Sequence, residues 1–193
     1  MNNKVTVSGM ITSIEFNHEI LGEKFYRMNL SVQRMSGSTD IVPILVSDRV
    51  QILTKDNIDQ YVKVIGQFRS YNKSEDEKKK LMLFVFAEEI FFNDNYEQLN
   101  DISVEGYICK QPTFRETPLG RQISDVMIAV NRAYGKSDYI PVIVWGRNAQ
   151  YASTLNIGDY VRIGGRVQSR EYLKNNETHV AYEVSASTIE NIA

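Results

Sequence analysis

The 193-residue chain has one cysteine, Cys109, one tryptophan, Trp145, and two histidines, His18 and His179. A lone cysteine excludes an intramolecular disulfide and is in keeping with a reducing compartment. Neither histidine has a cysteine or an acidic cluster at ligand spacing, so no metal and no other cofactor is expected. A glycine loop that could cradle phosphate before a helix is missing, as is a nucleophile elbow. Glu88 and Glu89 are neighbours, so on a strand they point to opposite faces and cannot act as a pair. No active site is expected, and the chain is read as a non-enzyme. The start, MNNKVTVSG, lacks the apolar run of a secretory leader. No segment approaches the roughly 20 apolar residues that span a bilayer. The expectation is a soluble intracellular protein with no membrane partner. A net charge of −2 also excludes a global positive field, so binding to a polyanion would need a local basic patch plus stacking.

What the chain does have is an ordinary apolar content of 42%, enough for a buried core, and a long internal repeat. VSGMITSI (Val7–Ile14) answers VEGYICKQ (Val104–Gln111), and LGEKFYRMNLSVQR (Leu21–Arg34) answers LGRQISDVMIAVNR (Leu119–Arg132). DIVPILVSDR (Asp40–Arg49) answers DYIPVIVWGR (Asp138–Arg147), and NIDQYVKVIGQFRS (Asn57–Ser70) answers NIGDYVRIGGRVQS (Asn156–Ser169). Four blocks in one order at a nearly constant offset make the chain two copies of one domain. The expected division is 1–92, a linker over 93–101, and 102–193. Phe91 and Phe92, just before the linker, are expected to pack at the junction.

In the second copy, alternation and turn residues predict strands at Ile102–Gln111, Ile123–Asn131, Tyr139–Trp145, Tyr160–Arg170 and Thr178–Ser185. Gly106 reads as a bend or bulge in the first of these. Pro112–Gly120 reads as a loop, and Asn148–Leu155 as a short helix that stops near Gly158. Three strands, a helix and two strands in each half fit an all-β fold with short helices: two tandem five-stranded Greek-key barrels of the oligonucleotide/oligosaccharide-binding (OB) type. In the first copy, Asn72–Lys80 reads as a solvated hairpin loop. Its Lys78, Lys79 and Lys80 are offset by Glu75, Asp76 and Glu77.

The second copy also offers a binding face. With Val142 and Val144 inward, Tyr139, Pro141, Ile143 and Trp145 share the outward parity of one strand. With Val161, Ile163 and Val167 inward, Arg162, Arg166, Gln168 and Arg170 share that of the next, and Tyr172 continues it. Tyr134 lies in the preceding loop. Rings interleaved with guanidinium groups suit single-stranded nucleic acid, whose bases stack while its phosphates meet cations. Arg115, Arg121, Arg132 and Arg147 are further candidates, each equally well explained as a solvated or ion-paired surface arginine.

VEGYICKQPTFRETPLGRQISDVMIAVNR, DYIPVIVWGRNAQ and GDYVRIGGRVQSREY together resemble the bacterial single-stranded DNA-binding protein family, including its primosomal replication protein N branch. The resemblance covers nearly all of Ile102–Ser185; the first copy shares it more weakly. It implies binding of single-stranded DNA with little sequence preference, in replication, recombination or repair, in the bacterial cytoplasm at the nucleoid. It also implies four barrels acting together, hence a homodimer of this two-barrel chain. Stacking roles carry over to Tyr134, Tyr139, Trp145 and Tyr172, and basic roles to Arg170 and Arg166. Two departures stand out. The chain stops at STIENIA, where many members continue into an acidic tail that recruits replication proteins. In the first copy Ile41, Ser47 and Ser36 stand where Tyr139, Trp145 and Tyr134 do. There Ile41, Pro43 and Leu45 are expected to be exposed, and Lys63, Arg69 and Tyr71 to point outward. Those departures keep an alternative open: a primosome-type or mobile-element accessory protein that acts mainly through contacts with replication or recombination proteins. An RNA- or oligosaccharide-binding barrel would fit the fold but not the motifs.

Overall fold

A computed structural model describes residues 2–75, 78–92 and 97–193. Five strands make the first half: β1 (Asn3–Ile20), β2 (Glu23–Gln33), β3 (Thr39–Ser47), β4 (Tyr61–Glu75) and β5 (Lys78–Phe92). Six make the second: β6 (Asn100–Ile108), β7 (Thr113–Glu116), β8 (Gln122–Asn131), β9 (Ser137–Trp145), β10 (Tyr160–Lys174) and β11 (Glu177–Asn191), with helix α1 (Gly146–Ala152) between β9 and β10. One sheet runs β2-β3-β5-β4-β1-β6-β10-β11-β9-β8-β7, and the extra pairings β2–β1 and β6–β8 curl each half into a closed barrel. The expected fold class, two tandem OB barrels, is borne out. No helix among the described residues is long and apolar enough to cross a membrane.

The alternation read from the sequence is the alternation of the core. Val5, Val7, Met28, Leu30, Ile44 and Phe68 fill the first barrel and Ile102, Val104, Ile128, Ile140 and Ile163 the second, all fully buried. Each such side chain contributes about 1.5–3 kcal/mol relative to exposure. The barrels join through β1 and β6, which run antiparallel with Asn3 opposite Val104, Val5 opposite Ile102 and Val7 opposite Asn100. Asn3 and Asn100, like Val5 and Ile102, are repeat equivalents, so the junction is a pseudo-twofold axis within one chain. Asn100 and Asp101, expected in the linker, are therefore strand residues. Of the remainder of that stretch, residues 93–96 lie outside the described residues.

Each barrel closes at a corner where one strand parts from its neighbour. β4 pairs with β1 up to Gly66, and β10 with β6 up to Gly165. Two residues on, a side chain replaces the missing strand. Asn3 donates to the Phe68 carbonyl (2.7 Å) and accepts from its amide (2.9 Å). Asn100 treats Val167 in the same way, at 2.7 and 2.9 Å. Buried backbone groups left without a ladder need such partners.

Several boundaries differ from expectation. Pro112–Gly120 is not all loop, because Thr113–Glu116 pairs with β8 as β7. Gly106 sits in regular pairing opposite Val161; it is needed because a Cβ there would lie 2.7 Å from the Ala129 carbonyl oxygen on β8. Its equivalent, Gly9, meets the Ser31 carbonyl in the same manner, at 2.5 Å. β11 runs to Asn191, well past Ser185, with Ile189 buried opposite Ile163. The helix begins at Gly146, two residues early, and ends at Ala152. Most of the expected loop Asn72–Lys80 is strand, with β4 reaching Glu75 and β5 starting at Lys78; Asp76 and Glu77 lie outside the described residues. Phe91 and Phe92 are 44% and 40% exposed, so neither is packed away at the junction.

Candidate nucleic-acid interface

Trp145 ends β9, opposite Ile123 of β8. Its indole N–H donates to the Ser185 hydroxyl on β11 (3.2 Å), which holds the ring across that strand. The ring forms one wall of a groove of about 600 Å³ that Arg121, Arg166, Gln168 and Arg170 also line. Arg34, from the first barrel, completes it. Strand parity in the second copy does not reach Arg34. Its only signal in the sequence is the repeat, which makes it the equivalent of Arg132.

The cations in this groove differ. Arg170 is tied to Glu183 at 3.1 Å, and the same carboxylate accepts from Gln168 at 2.9 Å. Among the described residues no carboxylate lies within ion-pair distance of Arg121 or Arg166. Among the described residues the Arg166 guanidinium reaches only the Gln168 side-chain oxygen, at 3.2 Å, and its Nε is buried without a partner there. Burial, with Arg34 nearby, pulls the Arg166 pKa below the usual arginine value. A desolvated, underpaired guanidinium beside an anchored indole is well placed to meet an anion. Tyr172 adjoins the groove through Arg170, whose guanidinium carbon is 5.9 Å from the ring; the ring's other neighbour is His179, stacked at 5.5 Å.

The remaining candidates are placed elsewhere. Asp138 is fully buried; it accepts from the Ser70 amide of the first barrel (2.8 Å) and lies 3.2 Å from Arg132 Nε. The Tyr139 amide donates to the Ser70 hydroxyl at 2.7 Å, while the residue stays 43% exposed. Tyr139 and Arg132 thus sit at the barrel-to-barrel junction. Tyr134, left-handed at φ 60° and fully exposed, lines a separate depression with Arg132 and Lys136. Arg115 is paired with Asp125 at 2.6 Å, and Arg147 is exposed at the start of α1. Arg162 is paired with Glu105 of β6 at 2.7 Å. It shares the parity of Arg166 but not its surroundings, because β10 leaves β6 at Gly165 and turns toward the groove.

Four outward assignments need correction. Ile143 is only 3% exposed and Gln168 5%, so both lie beneath the groove surface and do not stand on it. In the first barrel Pro43 is buried and Leu45 half-buried, leaving Ile41, 38% exposed, as the outward aliphatic of that strand. The aliphatic surface that motivated a protein-contact role is largely covered.

The junction repeats itself under the pseudo-twofold. Asp40, the equivalent of Asp138, is fully buried and accepts from the Ser169 amide of the second barrel at 2.9 Å. Arg34 grips it with two bonds, 2.7 and 2.5 Å. The Ile41 amide donates to the Ser169 hydroxyl at 2.9 Å, matching Tyr139 on Ser70. Each barrel therefore clamps the long strand of the other, β4 at Ser70 and β10 at Ser169.

The model of the single-strand binding protein family matches residues 99–192. "Single-stranded DNA-binding protein 2" of Streptococcus agalactiae serotype V is 32% identical over 98 residues, covering 47% of this chain and 75% of that protein. The single-stranded DNA-binding protein of Halalkalibacterium halodurans is 31% identical over 101 residues, 48% of this chain and 60% of its own. Among solved structures, the wild-type single-stranded DNA binding protein from Thermus aquaticus aligns over 99% of this chain and 93% of its own, at a TM-score of 0.79 and 22% identity. That likeness extends the shared fold across both barrels.

Proposed function

The chain belongs to the single-strand binding protein family, and from that premise we propose how it works. It binds single-stranded DNA with little sequence preference, serving replication, recombination or repair, and is not an enzyme. The second barrel carries the main site. The observation behind this is the groove where Trp145, pinned to Ser185, faces two arginines, Arg121 and Arg166, that no carboxylate among the described residues neutralises. Bases stack on Trp145, and Arg121, Arg166 and Arg170 meet phosphates. Tyr172 extends the path along the β10–β11 hairpin, and Tyr139 and Tyr134 extend it toward the junction. Arg115, Arg147 and Arg162 play secondary parts, since two of them already hold acidic partners.

The two halves act as the two domains, the first ending with β5 at Phe92 and the second beginning with β6 at Asn100. Two chains associate to give four barrels, in the bacterial cytoplasm at the nucleoid, where replication or recombination proteins are further partners. In support, the outer faces of β4, β1, β6 and β10 form one continuous surface across both barrels. It carries Tyr61, Tyr107 and the Arg162–Glu105 pair, and both tyrosines are more than 40% exposed. Sedimentation of the full chain at micromolar concentration is expected to give the mass of two chains; a strict monomer would sink the four-barrel assembly. Titration of Trp145 fluorescence with oligo-dT tests the main site, with quenching that saturates and weakens with salt as the expected result. No quenching at any length would overturn the assignment. Oligo-U and duplex DNA serve as competitors for specificity.

A further inference from the structure

The Trp145 groove contains one cation whose charge is already taken. Arg34 reaches it from the first barrel, with 26% of its side chain exposed. Its Nε donates to Asp40 Oδ2 at 2.7 Å and its Nη2 to Oδ1 at 2.5 Å, a two-bonded fork. Asp40 itself is fully buried. Among the described residues no other carboxylate lies within ion-pair distance of Arg34, and none lines the groove.

Asp40 does two separable things. Its Oδ1 also accepts from the Ser169 amide at 2.9 Å, and the Ser169 hydroxyl accepts from the Ile41 amide at 2.9 Å. These bonds dock β10 on the first barrel between Gln168 and Arg170, beyond the point where it has parted from β6. They need an oxygen acceptor but no charge. The fork adds a neutralised cation that docking does not require, as the pseudo-symmetric clamp shows. There Asp138 accepts from the Ser70 amide at 2.8 Å, while Arg132 meets it through a single 3.2 Å contact that leaves Nε without a hydrogen bond. What the fork does change is the field in the groove. Burial lowers the Arg166 pKa, Arg34 lowers it further and Asp40 raises it, so both charges are felt at the neighbouring unpaired cation.

We propose that Asp40 sets the affinity of the second barrel's site. By holding the Arg34 charge at the junction, it leaves Arg121 and Arg166 as the groove's unpaired cations and keeps Arg34 from neutralising a phosphate. Asp40 does not touch DNA; it acts through Arg34 and is a positioning residue. The first barrel thereby limits how tightly the second one binds. The inference rests on the reading of the groove as a single-stranded DNA site.

The test is the salt dependence of oligo-dT binding by the full chain. Saturable quenching of Trp145 in the wild type checks the underlying reading by itself, and its absence would overturn that reading before this one. Asp40→Asn keeps an oxygen for the Ser169 amide but removes the charge that holds Arg34. One more phosphate is then neutralised, so the log–log slope is expected to steepen by about 0.7. Between about 50 and 200 mM salt the variant should lose about 2.6-fold more affinity than the wild type does, starting from tighter binding at the low-salt end. Adding Arg34→Gln to Asp40→Asn is expected to return the slope to the wild-type value, because the released charge is gone. A clamp that only stabilises the junction gives an unchanged or shallower slope in Asp40→Asn, and that result would overturn the proposal. If the single variant is too unstable to compare, the double variant, which leaves no unpaired charge at the clamp, decides alone. A slope shallower than wild type by about 0.7 in that double variant would show that Arg34 already meets phosphate in the native groove, and the proposal would fall.

Discussion

The two barrels share strand order, core pattern and corner geometry, yet their grooves are built from opposite chemistry. The second has an indole and arginines backed by a buried carboxylate; the first has four aromatic side chains and three arginines, with no acidic residue among the described residues of its lining. The clamps at the junction differ in the same way. Arg34 and Asp40 form a two-bonded fork, which is the strong geometry for this pair. Arg132 and Asp138 meet through one poorly directed contact that leaves Arg132 Nε and Asp138 Oδ2 without hydrogen bonds. The sequence spacing of the two pairs is identical. An arginine of the opposite barrel stands beside each clamp, Arg69 at the Arg132–Asp138 pair and Arg166 at the Arg34–Asp40 pair, but at positions two residues apart in the repeat. A repeat therefore transmits a scaffold faithfully while the neighbour decides how well each polar contact closes.

Breaking the clamps should give the largest effect. Asp40→Ala leaves the Arg34 charge without its partner and is expected to cost about 3 kcal/mol in urea unfolding, the low end for a buried pair because Arg34 can still reach water. Asp138→Ala, removing a contact that is already weak, should cost only about 1–2 kcal/mol. Equal losses would show the two clamps to be equivalent. Next in size, Trp145→Ala should weaken oligo-dT binding by about 1–3 kcal/mol in a filter or anisotropy assay. Its counterpart Ser47→Ala should leave affinity unchanged; a similar loss in both variants would mean that stacking is not confined to the β9 wall.

Smaller still is the electrostatic share. If about five phosphates are neutralised, the wild-type log–log salt slope should be roughly −3.5, and Arg166→Gln should make it shallower by about 0.7. A slope near zero would remove the arginines from the interface. The smallest effect is a pH dependence. Burial raises the Asp138 pKa, opposed by the Ser70 amide and by Arg132 and Arg69. The folded chain then binds this proton at a pH where the unfolded chain has released it. Stability from this group is gained as pH falls through the raised folded value, and is lost as pH rises from the ordinary carboxylate value, about 3.9, toward it. Asp138→Asn should flatten that window in thermal melts relative to wild type, whereas an identical pH profile would contradict the raised pKa.

Much of this molecule was legible in its sequence, because alternation and repetition are local properties. Val126, Ile128 and Val130 could be assigned to the core from parity alone, and all three are buried. Parity failed where a long strand changes surroundings. Arg162 and Arg166 point to the same side of β10, but the barrel corner at Gly165 puts one on the flat outer sheet and the other in the groove. Ile143 and Gln168 share the outward parity and are still buried, Gln168 held between Arg166 and Glu183; strand period carries no information about such surroundings. Arg34 escapes the same reasoning because it reaches the groove from the other barrel.

The sequence by itself determined two barrels, their cores and the contrast between Trp145 and Ser47, since these depend on residue type and spacing along one strand. Only the tertiary structure decided which arginines stand free, which carboxylates are clamped, and that the first barrel holds a ring-lined groove of its own. Those outcomes depend on which side chains from distant strands come within a few ångströms, and the closing of each barrel against its twin is what sets that distance.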